Sequence, residues 1–141
     1  MFELDYRLES DCVLVGSLSL CHILLMKDAN YPWLLLVPQR ENVSEIYQLD
    51  EDDQEQLIWE SSFVAERIMK TFDGDKMNIA ALGNVVAQLH IHHVVRVQSD
   101  PAWPNPVWGA VPAKAYLTTE LSARVVRIQE ALKTSTFVPA S

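Results

Sequence analysis

A chain of 141 residues and 16.0 kDa can enclose one hydrophobic core but hardly two, so a single domain is expected. Its 49% hydrophobic and 21% charged residues fit a folded protein rather than a disordered one. The net charge of −8 and the pI of about 4.8 argue against a surface that grips nucleic acid through clustered Lys and Arg.

No stretch approaches the roughly 20 consecutive apolar residues of a membrane span. The opening MFELDYRLESD has neither a basic region nor an apolar run of the signal-peptide kind. No membrane partner and a cytoplasmic location are therefore expected. Cys12 and Cys21, the only cysteines, are too few for a disulfide framework and lack a CxxC spacing, so they read as ordinary core thiols.

In chain order, CVLVG (12–16), SLCHILLMK (19–27) and WLLLVPQR (33–40) are apolar runs separated by turn signals. The last two flank Asp28-Ala-Asn-Tyr-Pro32 and predict an antiparallel hairpin, with His22 as a structural strand residue. Asp50 then caps a helix over about 50–72, its acidic first turn matching the helix dipole. Leu57, Ser61, Val64, Ile68 and Phe72 form the core stripe, and Trp59 lies off it as a possible partner contact. KMNIAALG (76–83) reads as a strand, NVVA as a connection, and QLHIHHVVRVQ (88–98) as a long strand. A Pro- and Trp-rich loop follows, and its Trp103–Trp108 stretch is equally compatible with a place beside a ligand or in a subunit contact and with plain packing. TTELSARVVRIQEALK (118–133) predicts a Thr-capped helix with Leu121, Val125, Ile128 and Leu132 on one face, and TSTFVPAS reads as a tail.

The stretch QLHIHHVVR, Gln88 to Arg96, holds three of the four histidines. Strand parity puts Gln88, His90, His92 and Val94 on one face and Leu89, Ile91, His93 and Val95 on the other. His90 and His92 then lie roughly 6.6–6.8 Å apart at Cα, close enough to serve one small ligand. Two chemistries fit such a pair. It can hold zinc if a third and usually a fourth ligand come from elsewhere. Alternatively, one neutral imidazole attacks phosphorus while neighbours orient it and stabilise the phosphate oxygens. His93, on the back of the strand, is expected to be buried, neutral and hydrogen-bonded.

Gln88-Leu-His90-Ile-His92-His93-Val94, preceded by Ala-Leu-Gly83-Asn84-Val-Val and followed by Asp100-Pro-Ala-Trp-Pro-Asn-Pro-Val-Trp108-Gly, resembles the histidine-triad (HIT) family in its bacterial members. Asp28 through Pro38 resembles that family's nucleotide-binding hairpin. The resemblance covers about residues 1–110. It implies an α+β, HIT-like fold: an antiparallel sheet packed with a long helix, plus a C-terminal helix. It also implies a HIT-like domain over 1–110, with 111–141 as a helical extension packed on the same domain.

By that resemblance His90 is the nucleophile, attacking the α-phosphate of a nucleotide or dinucleoside polyphosphate. A nucleotidyl-histidine forms, and water then releases the nucleoside monophosphate. His92 would contact the phosphate or support the reacting ring. Gln88 stands where the family has its first His, and its amide could donate to phosphate or orient a neighbour. Asn78, Gly83 and Asn84 match the stretch against phosphate or ribose, and Asp28, with Asn30 as a rival, matches a ribose-binding acid. The family implies no required cofactor, though a divalent cation could travel with the substrate phosphates, and it implies a homodimer. Gln88 also supports an alternative, a nucleotide-binding module with little or no catalysis, while a His-based metal site is a further one. Because the chain is acidic, phosphate donors must be local. Arg96 shares the working face but lies roughly 13 Å along the strand from His92, too far for direct contact.

Overall fold

The computed structural model describes residues 1–141 as an antiparallel six-stranded sheet flanked by three helices. The strands are β1 (Cys12–Ser17), β2 (Cys21–Met26), β3 (Trp33–Pro38), β4 (Lys76–Ala80), β5 (Ile91–Arg96) and β6 (Val138–Pro139), in spatial order β4-β5-β3-β2-β1-β6. The predicted hairpin is present, with Leu24 opposite Leu35. All six residues of β3 and of β5 are buried, since these central strands are covered on both faces and need no polar alternation.

β5 is shorter than the sequence suggests. Its pairing to β3 reaches only Leu36↔Ile91 and its pairing to β4 only Ala80↔His92, so Gln88, Leu89 and His90 precede the strand. Leu89 N–H instead donates to the Val43 carbonyl at 2.9 Å.

One face of the sheet is covered by α2 (Glu51–Thr71) and α3 (Thr118–Ala131). Asp50 caps α2 through the Asp53 N–H, and Leu57, Val64 and Ile68 pack with Ile23, Leu25, Leu34, Leu36, Ile91 and Val95. Each such burial is worth about 1.5–3 kcal/mol in transfer terms. Glu60, also fully buried, accepts the backbone N–H groups of Leu20 and Cys21 at 2.8 and 2.9 Å, fastening the β1–β2 turn to the helix.

Two expectations need correction here. α3 is capped by Leu117, whose N–H donates to the Glu120 carboxylate, rather than by a Thr side chain. The C-terminal residues are not a loose tail: Phe137 is buried in the helix-side core, and β6 pairs with β1 at Gly16 and Ser17. A Cβ on Gly16 would sit 2.5 Å from the Val138 carbonyl oxygen, so this docking needs glycine.

The other face carries a second core of Leu8, Cys12, Leu24, Tyr31, Trp33, Leu35, Val37, Val94, Ala102 and Val107. It is covered only partly, by α1 (Tyr6–Asp11) and by the loop after β5. α1 is a single helical turn and a half with Asp5 as its cap, too short to show a helical repeat in the sequence. No helix is long and apolar enough to cross a membrane.

Candidate functional site

Between α1, the 82–86 loop and Trp108 lies a cleft of about 330 Å³ whose floor is formed by Trp33, Leu35, His90 and His92. The parity expectation holds for the two histidines: their ring centroids are 5.0 Å apart at 68°. His90 Nδ1 lies 2.7 Å from the Gln88 carbonyl oxygen. A carbonyl only accepts, so Nδ1 carries a proton, and in the neutral ring the lone pair is then on Nε2. His92 Nδ1 accepts the indole N–H of Trp33 at 3.0 Å. Burial, then the neighbouring His90 and His93, push the His92 imidazole down to about 4. Neither Nε2 has a protein partner, and neither is among the fully buried unpartnered polar atoms, which are the Tyr31 hydroxyl and the Trp108 indole nitrogen. Both therefore open onto the cleft.

His93 points the other way, as strand parity requires. It is fully buried against α2, where the Ser61 hydroxyl donates to its Nε2 at 2.7 Å and its Nδ1–H donates to the Ile91 carbonyl at 3.0 Å. Burial is the main cause that lowers it to about 4.

Gly83 and Asn84 line the same cleft as His90 and His92. Gly83 has φ +75°, a conformation that disfavours any side chain there. Asp28 lines an adjoining hollow of about 380 Å³ that shares Asp11, Met26 and Trp33 with the cleft. One of its carboxylate oxygens accepts the N–H groups of Asn30 and Lys114, and the rival Asn30 donates to the Pro112 carbonyl. Gln88 does not present its amide to the cleft: Oε1 accepts the Asp5 N–H at 2.8 Å and Nε2 donates to the Glu3 carbonyl at 2.9 Å. It serves His90 through its backbone carbonyl instead. Asn78 is not brought to the cleft either, because its side-chain oxygen accepts from Arg96 at 2.8 Å.

Arg96, 1% exposed, makes a bidentate pair with Asp100 at 2.8 and 3.0 Å, while Asp100 also accepts the N–H groups of Ala102 and Trp103. Burial alone would raise the Asp100 carboxyl; the Arg96 guanidinium and the backbone donors hold it below its ordinary value. The network shapes the loop that delivers Trp108 edge-on to His92, with ring centroids 5.1 Å apart. Trp33 is the site residue to which the sequence assigned no role, whereas Trp108 takes one of the places expected for its loop, beside the cleft. Period-2 alternation sets Trp33 on one hairpin face, but only the register Trp33↔Val94 brings it beside β5.

Other polar clusters are separate. A larger hollow of about 440 Å³ between α1, β1 and β2 contains His22, whose Nδ1 lies 2.7 Å from the Ser17 hydroxyl. Both cysteines are free and buried, which pushes the Cys12 thiol up to about 12 and the Cys21 thiol further in the same direction. No group of three or more His, Cys, Asp or Glu side chains is arranged to hold a metal ion.

The sequence profile of the HIT domain matches residues 7–99. A histidine triad protein from Marinobacter aquaeolei is 47% identical, with 94% of this chain and 96% of that one covered at a TM-score of 0.91. Histidine triad proteins from Bradyrhizobium japonicum and Sinorhizobium meliloti are each 44% identical, with 94% and 98% covered and the same TM-score of 0.91. No curated protein sequence matches the chain significantly. The sheet, the histidine-bearing strand and these likenesses agree that the chain belongs to the histidine triad (HIT) family.

Proposed function

We propose that the protein is a nucleotide hydrolase or nucleotidyl transferase in which His90 is the nucleophile. The observation that carries this reading is the His90 Nδ1···Gln88 carbonyl contact of 2.7 Å, which leaves the Nε2 lone pair open to the cleft. In the first step Nε2 forms a bond to the α-phosphorus of a nucleotide or dinucleoside polyphosphate, and the bond to the leaving phosphate oxygen breaks. Water then attacks the nucleotidyl-histidine, releasing nucleoside monophosphate and restoring the imidazole. His92, 5.0 Å away between ring centroids, supports the phosphate, with Gly83 and Asn84 at the wall. The adjoining hollow with Asp28 is of a size and position to receive the nucleoside. The family's chemistry requires no bound cofactor; a divalent cation would arrive with the substrate phosphates.

The test is incubation with adenosine polyphosphates and an AMP ester, following product release and intact mass for the wild type and His90→Ala. Turnover and a nucleotidyl mass adduct are expected only for the wild type. Turnover that survives in His90→Ala would sink the assignment. The position of Gln88 supports a second reading, a nucleotide-binding module: its amide is tied to the N-terminal segment, so no titratable side chain stands there. Nucleotide bound without turnover by the wild type would favour it. A metal site, by contrast, would have two imidazoles and no third ligand.

The same reading includes a homodimer. β4 ends the sheet with one side unpaired, Ile79 on it is 50% exposed, and Trp59 on the adjacent α2 is 53% exposed. Light scattering should report twice the chain mass, and Ile79→Lys should reduce it; a monomeric wild type would end the proposal.

A further inference from the structure

We propose that Trp33 is a positioning residue whose indole N–H fixes His92 in the Nε2–H tautomer, making it a neutral hydrogen-bond donor that faces the cleft. The identity of the acceptor, the phosphate attacked by His90, rests on the reading above; the tautomer does not.

The indole nitrogen can only donate. At 3.0 Å from His92 Nδ1 it requires a lone pair on that atom, and a neutral ring must then carry its proton on Nε2. The placement is rigid. Trp33 is 7% exposed and opens β3 opposite Val94 of β5. Tyr31 and Trp108 pack edge-on against it, with ring centroids at 6.1 and 5.9 Å. Trp108 also stands 5.1 Å from the His92 ring, so this imidazole is held between two indoles and His90. Doubly protonated His92 would set an Nδ1–H directly against the Trp33 N–H, a clash of donors that acts in the same direction as the burial around the ring.

The two cleft imidazoles are therefore set in opposite tautomers by groups that do not titrate near neutral pH. A backbone carbonyl makes His90 an Nδ1–H ring with a lone pair at Nε2. An indole makes His92 a ring with a proton at Nε2. One offers an electron pair and the other a hydrogen-bond donor, side by side, and protonation of His92 does not shape the acid side of the pH–rate profile.

Long-range proton–nitrogen NMR correlation on ¹⁵N-labelled protein reads the tautomer directly. In the wild type, His92 should show an unprotonated Nδ1 and a protonated Nε2 from about pH 5.5 to about pH 8, a range in which a free imidazole would titrate. Trp33→Phe should give mixed tautomers and a His92 that titrates closer to the ordinary range. Its kcat should fall about tenfold with KM changed less than about twofold, the effect of one lost hydrogen bond to a reacting group. If Trp33→Phe fails to fold, replacing Trp33 alone with 3-benzothienylalanine keeps the bicyclic shape but puts sulfur where the N–H was. It should move the tautomer in the same way. An Nδ1–H tautomer in the wild type, or an unchanged Nε2–H tautomer in the sulfur isostere, overturns the proposal. Turnover by an enzyme with Nδ1–H His92 would overturn it alone. No turnover with Nε2–H His92 would overturn nucleotidyl transfer and leave the Trp33 assignment supported.

Discussion

His92 and His93 are consecutive, are both buried, and are both pushed down to about 4 chiefly by burial. They differ in what their ring nitrogens still have to offer. His93 faces α2, with Ser61 donating to one nitrogen and Ile91 accepting from the other. His92 faces the cleft, with Trp33 on one nitrogen and no protein partner on the other. Burial and a perturbed imidazole thus mark both rings alike, and only the open valence separates a structural histidine from a working one. The same contrast holds for the faces of the sheet. The α2/α3 face is closed by apolar packing, whereas the other face is roofed by a short helix and a loop that leave a cleft between them.

That comparison can be broken most directly at His90. His90→Ala should lower nucleotide turnover by about a thousandfold or more, as removal of a nucleophile does, with thermal stability nearly unchanged. A scan of turnover and melting temperature checks both.

Arg96→Met tests whether the roof of the cleft is held by its buried ion pair. It leaves the Asp100 carboxylate in the interior without its guanidinium partner, held only by backbone N–H groups, and loss of one member of a buried ion pair costs about 3–5 kcal/mol. Urea unfolding should show that loss, and the loosened Trp108 should reduce turnover as well. A stable variant with full activity would mean that the loop holds itself.

Acid titration addresses both histidines together. Their folded values lie below the ordinary value of about 6.5, so between about pH 6.5 and about pH 4 the unfolded chain binds more protons than the native one. Stability is then complete above that window and falls as the pH is lowered through it, by up to about 1.4 kcal/mol per pH unit for each histidine. Urea midpoints across this range should slope accordingly, and His93→Phe should flatten the slope.

The smallest expected effect is at Ser61. Ser61→Ala leaves the buried His93 Nε2 without a donor, at a cost of about 1–3 kcal/mol, and should leave kcat unchanged. A change in kcat without a change in stability would place His93 among the working residues and dissolve the contrast.

Much of this was legible in the chain. Two apolar runs around a turn signal predicted the hairpin, strand parity separated His93 from His90 and His92, and period-3.6 spacing with an Asp cap predicted α2. These patterns are local: they follow from backbone geometry and from which side chains avoid water. The ends of elements were less legible. β5 lost its first three expected residues because its neighbours no longer pair with it there. The C-terminal residues became a strand because Gly16 lets Phe137 and Val138 approach β1.

The site divides in the same way. The sequence by itself determined that two imidazoles share a face and that a third points to the opposite one. Only the tertiary structure decided that Asn78 belongs to Arg96, that the Gln88 amide belongs to the N-terminal segment, and that Trp33 meets His92. The physical reason is separation along the chain. A hydrogen bond needs its partner atoms within about 3 Å, and for residues 59 positions apart, as Trp33 and His92 are, sheet register and packing alone can arrange that.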